Sequence, residues 1–167
     1  MGTTESSSLK PKLFCPIRRE WVEPLPEEKV RLSLVQFMTK ELGYPPQLLV
    51  VEKALHQFPH LPPEQTRHFP KRRADLVCYA SGIHPDHPLF PLLLVECKAI
   101  PLDGKAVQQL TAYNHYLQAY FVALCNGTEV KSGYYDAGQG KYLFANTLPT
   151  YRELLMILEK RRSRSLR

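Results

Sequence analysis

A chain of 167 residues with 44% hydrophobic and 23% charged residues has the size and composition of one soluble globular domain. Its formal charge of +6 favours polyanions only mildly, and neither a secretory leader nor a membrane-spanning run is expected. The four cysteines are scattered without a Cys-x-x-Cys pair, which argues against structural zinc. We therefore expect a reduced, cytoplasmic protein whose histidines lie at the surface or in loops.

The N-terminal part of the chain predicts an arm followed by a helix. Residues 1–12 are polar and expected to be disordered. The segment 14–24 is predicted to be an extended arm whose apolar side chains pack on the domain: Phe14, Ile17, Trp21 and Val22. A helix is expected to begin at Pro26, because proline suits a first turn, and to end before Gly43. Its apolar positions have helical spacing: Val30, Leu34, Phe37, Met38 and Leu42.

Strands and proline-rich loops are predicted next. Residues 48–55 are the first strand, and 58–70 form a loop before the basic run Lys71-Arg72-Arg73. Asp75 begins the second strand, which the turn 81–91 joins to an antiparallel third strand. The rest of the chain predicts, in order, a helix, three strands and a last helix, over residues 103–119, 120–125, 130–136, 142–145 and 150–162. We expect one domain over residues 13–160 and a basic tail over 161–167.

The third predicted strand carries charge where a buried strand would be apolar. In the run LFPLLLVECKAI, residues 89–100, side chains alternate between two faces, so Leu92, Glu96 and Lys98 share one face. Buried charges usually have a partner or a metal. The alternative is an exposed ion pair of Glu96 with Lys98, with Asp75 a simple strand-start residue. The apolar surroundings favour a functional site.

Several strings extend this pattern along the chain, in the following order: Pro26-Glu27-Glu28-Lys29-Val30-Arg31, Glu41-Leu42-Gly43-Tyr44-Pro45, Val51-Glu52-Lys53, Arg73-Ala74-Asp75-Leu76-Val77, Leu93-Leu94-Val95-Glu96-Cys97-Lys98-Ala99, Gln109-x-x-x-Tyr113-Asn114 and Cys125-Asn126-Gly127. With them the chain resembles the PD-(D/E)xK nuclease superfamily. It is most similar there to the N-terminal nuclease domain of type I restriction enzyme R subunits and to small stand-alone relatives. The resemblance implies an α/β, restriction-endonuclease-like core, with a mixed central sheet flanked by helices in αβββαβ order.

The resemblance also implies a Mg²⁺-dependent deoxyribonuclease that hydrolyses phosphodiester bonds. Asp75 and Glu96, on adjacent strands, are predicted to bind Mg²⁺ or Mn²⁺, because these ions prefer hard oxygen ligands. Lys98 is expected to orient or deprotonate the attacking water and to stabilise the pentacoordinate phosphate. A glutamate of the first helix often joins such a metal site, and Glu27 and Glu28 are both candidates, with Glu27 expected nearer the inward face. Stabilisation of the helix dipole explains either glutamate equally well.

Nucleic-acid contacts are expected from two further segments. Gln109 and Tyr113 lie four apart on one helix face and resemble the Gln-x-x-x-Tyr of RecB-like nucleases, where this pair lies beside the catalytic residues and contacts DNA. Gln109 is therefore counted with the catalytic residues, whereas core packing is the alternative for Tyr113. Lys71, Arg72 and Arg73 are predicted to contact backbone phosphates, which adds affinity without sequence preference.

The expected partner is DNA, and no membrane is involved. No motor domain and no sequence-reading domain are evident, so specificity is expected to come from a homodimer, a protein partner or the structure of the DNA. One alternative is a catalytically idle nuclease fold that binds nucleic acid or protein, and another is a plain interaction protein. The trio Asp75, Glu96 and Lys98 argues against both alternatives.

Overall fold

A computed structural model describes residues 11–165 of the chain. Most of the predicted disordered segment 1–12 and the last two residues of the predicted basic tail lie outside the described residues. The described helices are α1 Pro26–Lys40, α2 Pro63–Thr66, α3 Gly104–Leu117 and α4 Tyr151–Ser165. The described strands are β1 Leu13–Cys15, β2 Glu20–Val22, β3 Leu49–Ala54, β4 Arg73–Ser81, β5 Leu89–Cys97, β6 Phe121–Cys125, β7 Val130–Asp136 and β8 Lys141–Ala145.

A six-stranded mixed sheet with the strand order β3-β4-β5-β6-β7-β8 forms the centre of the fold. Its neighbouring strands are antiparallel except β5 and β6, which are parallel. Parallel neighbours need a crossover connection, and α3 supplies it. The predicted α/β fold, with a mixed sheet and the order helix, three strands, helix, strand, is confirmed; the single-turn α2 is an addition between β3 and β4.

Helices cover both faces of the sheet. On one face α1 and α4 bury side chains such as Met38 and Leu154, and on the other α3 buries Leu110 and Leu117. The described cysteines are buried free thiols that pack as small apolar groups: Cys15, Cys78, Cys97 and Cys125. None of the helices within residues 11–165 combines the length and the apolar composition that crossing a bilayer requires.

Helix α1 begins at Pro26 as predicted, and its buried face contains Leu34 and Met38 of the predicted apolar positions together with two charged residues. The buried side chains recur at helical spacing: Glu28, Arg31, Leu34, Val35 and Met38. Phe37, one of the apolar positions at helical spacing, is 46% exposed and lies outside this buried face. The expectation that Glu27 lies nearer the inward face is wrong, because Glu27 is exposed and Glu28 is 8% exposed. An ion pair of Glu28 with Arg31 occupies the buried face at the start of the helix.

The predicted N-terminal arm is a hairpin of β1 and β2. Cys15 and Val22 are buried, and Ile17 packs half-buried against the core. Phe14 and Trp21 were expected to pack on the domain, but they are 48% and 66% exposed. They are cross-strand partners on the outer face of the hairpin and contact each other edge to face, with 5.5 Å between ring centroids. The prediction for these two rings is therefore wrong.

The proline-rich segment 58–70 contains the turn of α2 and contributes to the core. Phe58 is 1% exposed, and Leu61 is also buried. His60 lies in a loop, as expected, but it is 8% exposed and therefore buried. Its Nε2 lies 2.7 Å from the carbonyl oxygen of Leu117 and donates to it, because a carbonyl only accepts.

A bulge in β5 changes the predicted alternation of side chains. Leu93 opposes Cys78 while Pro91 opposes Tyr79, which leaves Leu92 without an opposite residue. Leu92 consequently packs in the same cluster as Leu93, and its predicted place on the face of the charged residues is wrong. After the bulge the alternation holds. The sheet elements and the helices α3 and α4 otherwise lie within three residues of their predicted bounds.

Candidate active site

Two neighbouring strands bring the predicted carboxylates together. Leu76 opposes Val95 in the antiparallel pair β4–β5, and one more step in this register sets Asp75 opposite Glu96. Asp75 Oδ2 accepts a hydrogen bond of 2.8 Å from the backbone N–H of Cys97. This bond holds the Asp75 carboxylate across the end of β5, on the side where Glu96 lies.

The surroundings of Asp75 disfavour its charged form. The side chain is 17% exposed, and burial, followed by the charge of Glu96, raises the pKa of Asp75 to about 6. The Cys97 N–H and the Arg31 guanidinium act in the opposite direction; Arg31 Nη2 lies 3.2 Å from Asp75 Oδ1. The rise persists because burial and the charge of Glu96 outweigh both, so a cation bound beside the two carboxylates would favour the charged form of Asp75.

Lys98 contacts two of the predicted site residues. Its Nζ donates to Glu96 Oε1 at 2.8 Å and to Gln109 Oε1 at 3.1 Å. Burial alone lowers the pKa of Lys98, but the hydrogen bond and charge of Glu96, with smaller effects of Glu27 and Asp75, raise the pKa overall. Lys98 is therefore protonated at neutral pH, and it presents a positive charge and hydrogen-bond donors to this end of the sheet.

Arg31 is a central cation of the site. Its role was not predicted from the sequence. Its side chain is 5% exposed, and its guanidinium contacts three carboxylates: Nη1 to Glu28 at 2.7 Å, Nη2 to Glu52 at 2.7 Å and Nη2 to Asp75 at 3.2 Å. A signal exists in the sequence, because Glu28 and Arg31 are three residues apart and can pair on a helix. Such a pair is ordinarily exposed, so its burial is visible only in the fold.

The two glutamates of α1 have different surroundings. Glu28 is engaged by Arg31 and by Arg18, whose Nη2 lies 3.6 Å from Glu28 Oε1. Glu27 is exposed, and its charge contributes to the raised pKa of Lys98, so it lies on the Lys98 side of the site. Their predicted role as metal ligands stays a prediction. Glu28 already has two cationic partners, whereas Glu27 faces solvent near the ammonium group.

Glu52 on β3 is a second residue that sequence reasoning left without a role. Its φ of 53° lies in the left-handed region, which costs a non-glycine residue on the order of 1 kcal/mol. The β3–β4 ladder is interrupted where Glu52 lies opposite Asp75. The side chain bridges Arg31 to Arg73, whose Nη1 is 3.7 Å away. Residues with a strained backbone cluster at functional sites. The two ion pairs hold Glu52 in its strained conformation.

Helix α3 links the charged site to the basic run. Gln109 is exposed and accepts the hydrogen bond from Lys98. One turn later Tyr113 is 8% exposed, packs in the core under α3 and donates its hydroxyl proton to the Arg72 carbonyl oxygen at 3.3 Å. Lys71, Arg72 and Arg73 are exposed at the start of β4, beside Asp75. The structure thus brings the predicted catalytic and nucleic-acid-binding residues to one region.

The donor chemistry of this region suits a hard cation. Within residues 11–165 no group of three or more His, Cys, Asp and Glu side chains is spaced to hold a metal ion by itself. Asp75 and Glu96 offer two carboxylates, and Mg²⁺ is commonly bound by one or two carboxylates together with water and substrate oxygens. A cation bound there would offset the burial and the charge of Glu96, which together raise the pKa of Asp75. The residues present therefore fit Mg²⁺.

The chain resembles known proteins in its sequence pattern and in its fold. The sequence profile of the type I restriction enzyme R protein N terminus (HSDR_N) matches residues 26–149, more than half of the chain. A solved fragment described as an HsdR subunit of a type I restriction enzyme from Vibrio vulnificus YJ016 has a TM-score of 0.51 and 22% identity, over 79% of this chain and 25% of that chain. The chain thus spans about a quarter of that protein, and the likeness concerns the fold. The comparison with curated proteins gave no match. The chain belongs to the family of type I restriction enzyme R protein N termini.

Proposed function

We propose that the protein is a metal-dependent DNA endonuclease of the PD-(D/E)xK type. One observation carries the proposal: Asp75, Glu96 and Lys98 meet at one end of β4 and β5, and the Asp75 carboxyl has a pKa raised to about 6. An ordinary surface ion pair has no need of a second, buried carboxylate beside it. Membership of a restriction enzyme family supports DNA as the substrate.

The residues have distinct roles in this proposal. Asp75 and Glu96 would hold Mg²⁺, which when bound neutralises charge and lowers the pKa of a water. Lys98, kept protonated by Glu96, would donate to a phosphate oxygen and stabilise the negative charge that develops on it. Gln109, whose Oε1 accepts from Lys98 at 3.1 Å, would orient the ammonium group. The exposed run Lys71-Arg72-Arg73 would contact backbone phosphates near the cleaved bond.

A second function is favoured by the ion pair of Arg31 with Asp75, at 3.2 Å. A guanidinium that already neutralises the carboxylate suits a catalytically idle fold, which binds nucleic acid without cleaving it. The retained Lys98 and the incomplete neutralisation of Asp75 favour the nuclease. The two functions differ in their requirement for a divalent cation, and this difference makes them separable by experiment.

The test is cleavage of plasmid, linear and single-stranded DNA by the purified protein in Mg²⁺ or Mn²⁺ and in a chelator, beside Asp75→Asn. We expect cleavage by the wild type with either cation, none in the chelator, and a loss of at least a hundredfold in Asp75→Asn. Exposed Asp86 provides the matched control, since Asp86→Asn removes one negative charge from a loop and should leave cleavage unchanged. DNA binding without cation-dependent cleavage would support the idle fold instead.

A further inference from the structure

A basic cavity lies next to the candidate active site, and the mechanism above uses only the charges of Lys71, Arg72 and Arg73 in its lining. Its volume is about 500 Å³, and four cationic side chains line it: Arg67, Lys71, Arg72 and Arg73. The lining that the structure describes contains no carboxylate. Within residues 11–165, Arg73 is paired with Glu52, while Arg67, Lys71 and Arg72 have no acidic side chain within 4 Å. Three unneutralised cations around a concave surface favour an anionic ligand.

The cavity also has an apolar wall. Leu55, Phe69 and Pro70 contribute to it, and the ring of Phe69 is half-buried with its centroid 4.7 Å from that of Tyr116 on α3. An aromatic ring supported from behind is a surface on which a nucleotide base can stack. The volume is within the range of small-molecule sites, so the cavity has room for a base together with its phosphate. Cations alone would suit any polyanion, but the combination suits a nucleotide.

Its position relates the cavity to Asp75. Arg73 lines the cavity and lies two residues before Asp75 on β4, so the two residues are on one face and about 7 Å apart along the strand. The hydrogen bond from Tyr113 to the Arg72 carbonyl fixes the cavity wall to α3, which also carries Gln109. A nucleic-acid strand that enters the cavity can thus continue to Asp75 within about one or two nucleotides.

We propose that this cavity binds an unpaired nucleotide of the substrate, with its phosphate at Arg67 and Lys71 and its base against Phe69. The inference rests on the proposed function and specifies its substrate as DNA with a single-stranded segment beside the cleaved bond. The ring faces of a base inside a duplex are covered by the neighbouring stacked bases, so such a base cannot present a free ring face to Phe69. An intact duplex would therefore leave the apolar wall unused.

Binding without a divalent cation tests this inference separately from catalysis. The probes are a labelled fifteen-nucleotide oligothymidylate and a blunt duplex of two separate strands, which has no unpaired loop, measured by fluorescence anisotropy in a chelator. We expect tighter binding of the single strand, and a loss on the order of tenfold in Phe69→Leu for the single strand but less than twofold for the duplex. Leucine keeps an apolar contact with Tyr116, so this variant should fold.

Arg67→Ala tests the phosphate contact. It should weaken single-strand binding and reduce the slope of log affinity against log salt by about 0.7, the value expected when the protein neutralises one phosphate fewer. Arg152→Ala is the matched control, because Arg152 is exposed on α4, which packs on the opposite face of the sheet from Phe69. Equal effects of Phe69→Leu on both probes, or tighter binding of the duplex by the wild type, would overturn the inference. If the wild type binds the single strand more tightly but does not cleave DNA with Mg²⁺ or Mn²⁺, the nuclease proposal is overturned and the inference about the cavity is kept.

Discussion

The raised pKa of Asp75 makes the stability of the protein depend on pH in a defined direction. The ordinary value of 3.8 is raised to about 6 in the folded protein. Between these two values the folded state therefore binds more protons than the unfolded state, and the free energy of unfolding falls as the pH rises. A shift of roughly two pKa units corresponds to about 3 kcal/mol. This contribution is present below pH 4 and lost above pH 6.

Asp75→Asn removes this dependence. The variant cannot titrate at position 75, so we expect the wild type to lose about 3 kcal/mol relative to the variant between pH 4 and pH 7. The comparison over pH cancels any constant effect of the substitution, such as the altered contact with Arg31. The assay is urea denaturation followed by circular dichroism in a chelator, with Asp86→Asn as the control for loss of one charge. A difference that is constant over this range, or that moves in the opposite direction, would refute the reasoning.

Three further variants test the charge network and the packing by the same urea titration. Arg31→Met leaves three carboxylates without their shared cation, so we expect a loss of about 3–5 kcal/mol; a loss below about 1 kcal/mol would contradict the network. Gly133→Ala directs a Cβ against the Leu143 carbonyl of β8 and should cost about 1–3 kcal/mol, whereas unchanged stability would argue against this close approach. Leu110→Ala should cost about 2–5 kcal/mol, because Leu110 is 1% exposed, and a loss equal to that of exposed Met156→Ala would be inconsistent with its burial.

Periodicity and turn residues were sufficient to predict the sheet and its helices. The Asn126-Gly127 turn and the apolar runs around it identify β6 and β7, and the alternation from Leu93 to Lys98 sets Glu96 beside Lys98. These properties depend only on residues that are close in the chain, so they can be predicted from the sequence. The adjacency of Asp75 and Glu96 was also accessible, because a short loop makes their strands antiparallel neighbours.

The charged network escaped prediction for a physical reason. The buried face of α1 continues from Met38 through Leu34 to Arg31 and Glu28 with regular helical spacing. A prediction from hydrophobicity alone leaves Arg31 and Glu28 out of the buried face, because it counts charged side chains as solvent-exposed. Their burial depends on Asp75 and strand β3, which are distant in sequence. The bulge in β5 and the left-handed backbone of β3 depend in the same way on neighbouring strands.

Exposed aromatic residues were misplaced for the opposite reason. Phe14 and Trp21 were expected to pack on the domain, and Phe37 was grouped with the apolar positions of α1, yet each is about half or more exposed. Aromatic side chains on a short hairpin gain much of their contact from each other, and burial in the domain is not required. Hydrophobic composition therefore predicted the core of the sheet better than it predicted the periphery.

The rate of DNA cleavage by Lys98→Ala relative to Lys141→Ala tests the central claim most directly. Both variants remove one ammonium group, but Lys98 bonds Glu96 at the candidate site, whereas Lys141 is exposed on the edge strand β8. With DNA and Mg²⁺ in excess, we expect cleavage by Lys98→Ala to be at least a hundredfold slower than by the wild type. We expect Lys141→Ala to cleave at the wild-type rate. Equal rates for the two variants would contradict the assignment of the active site.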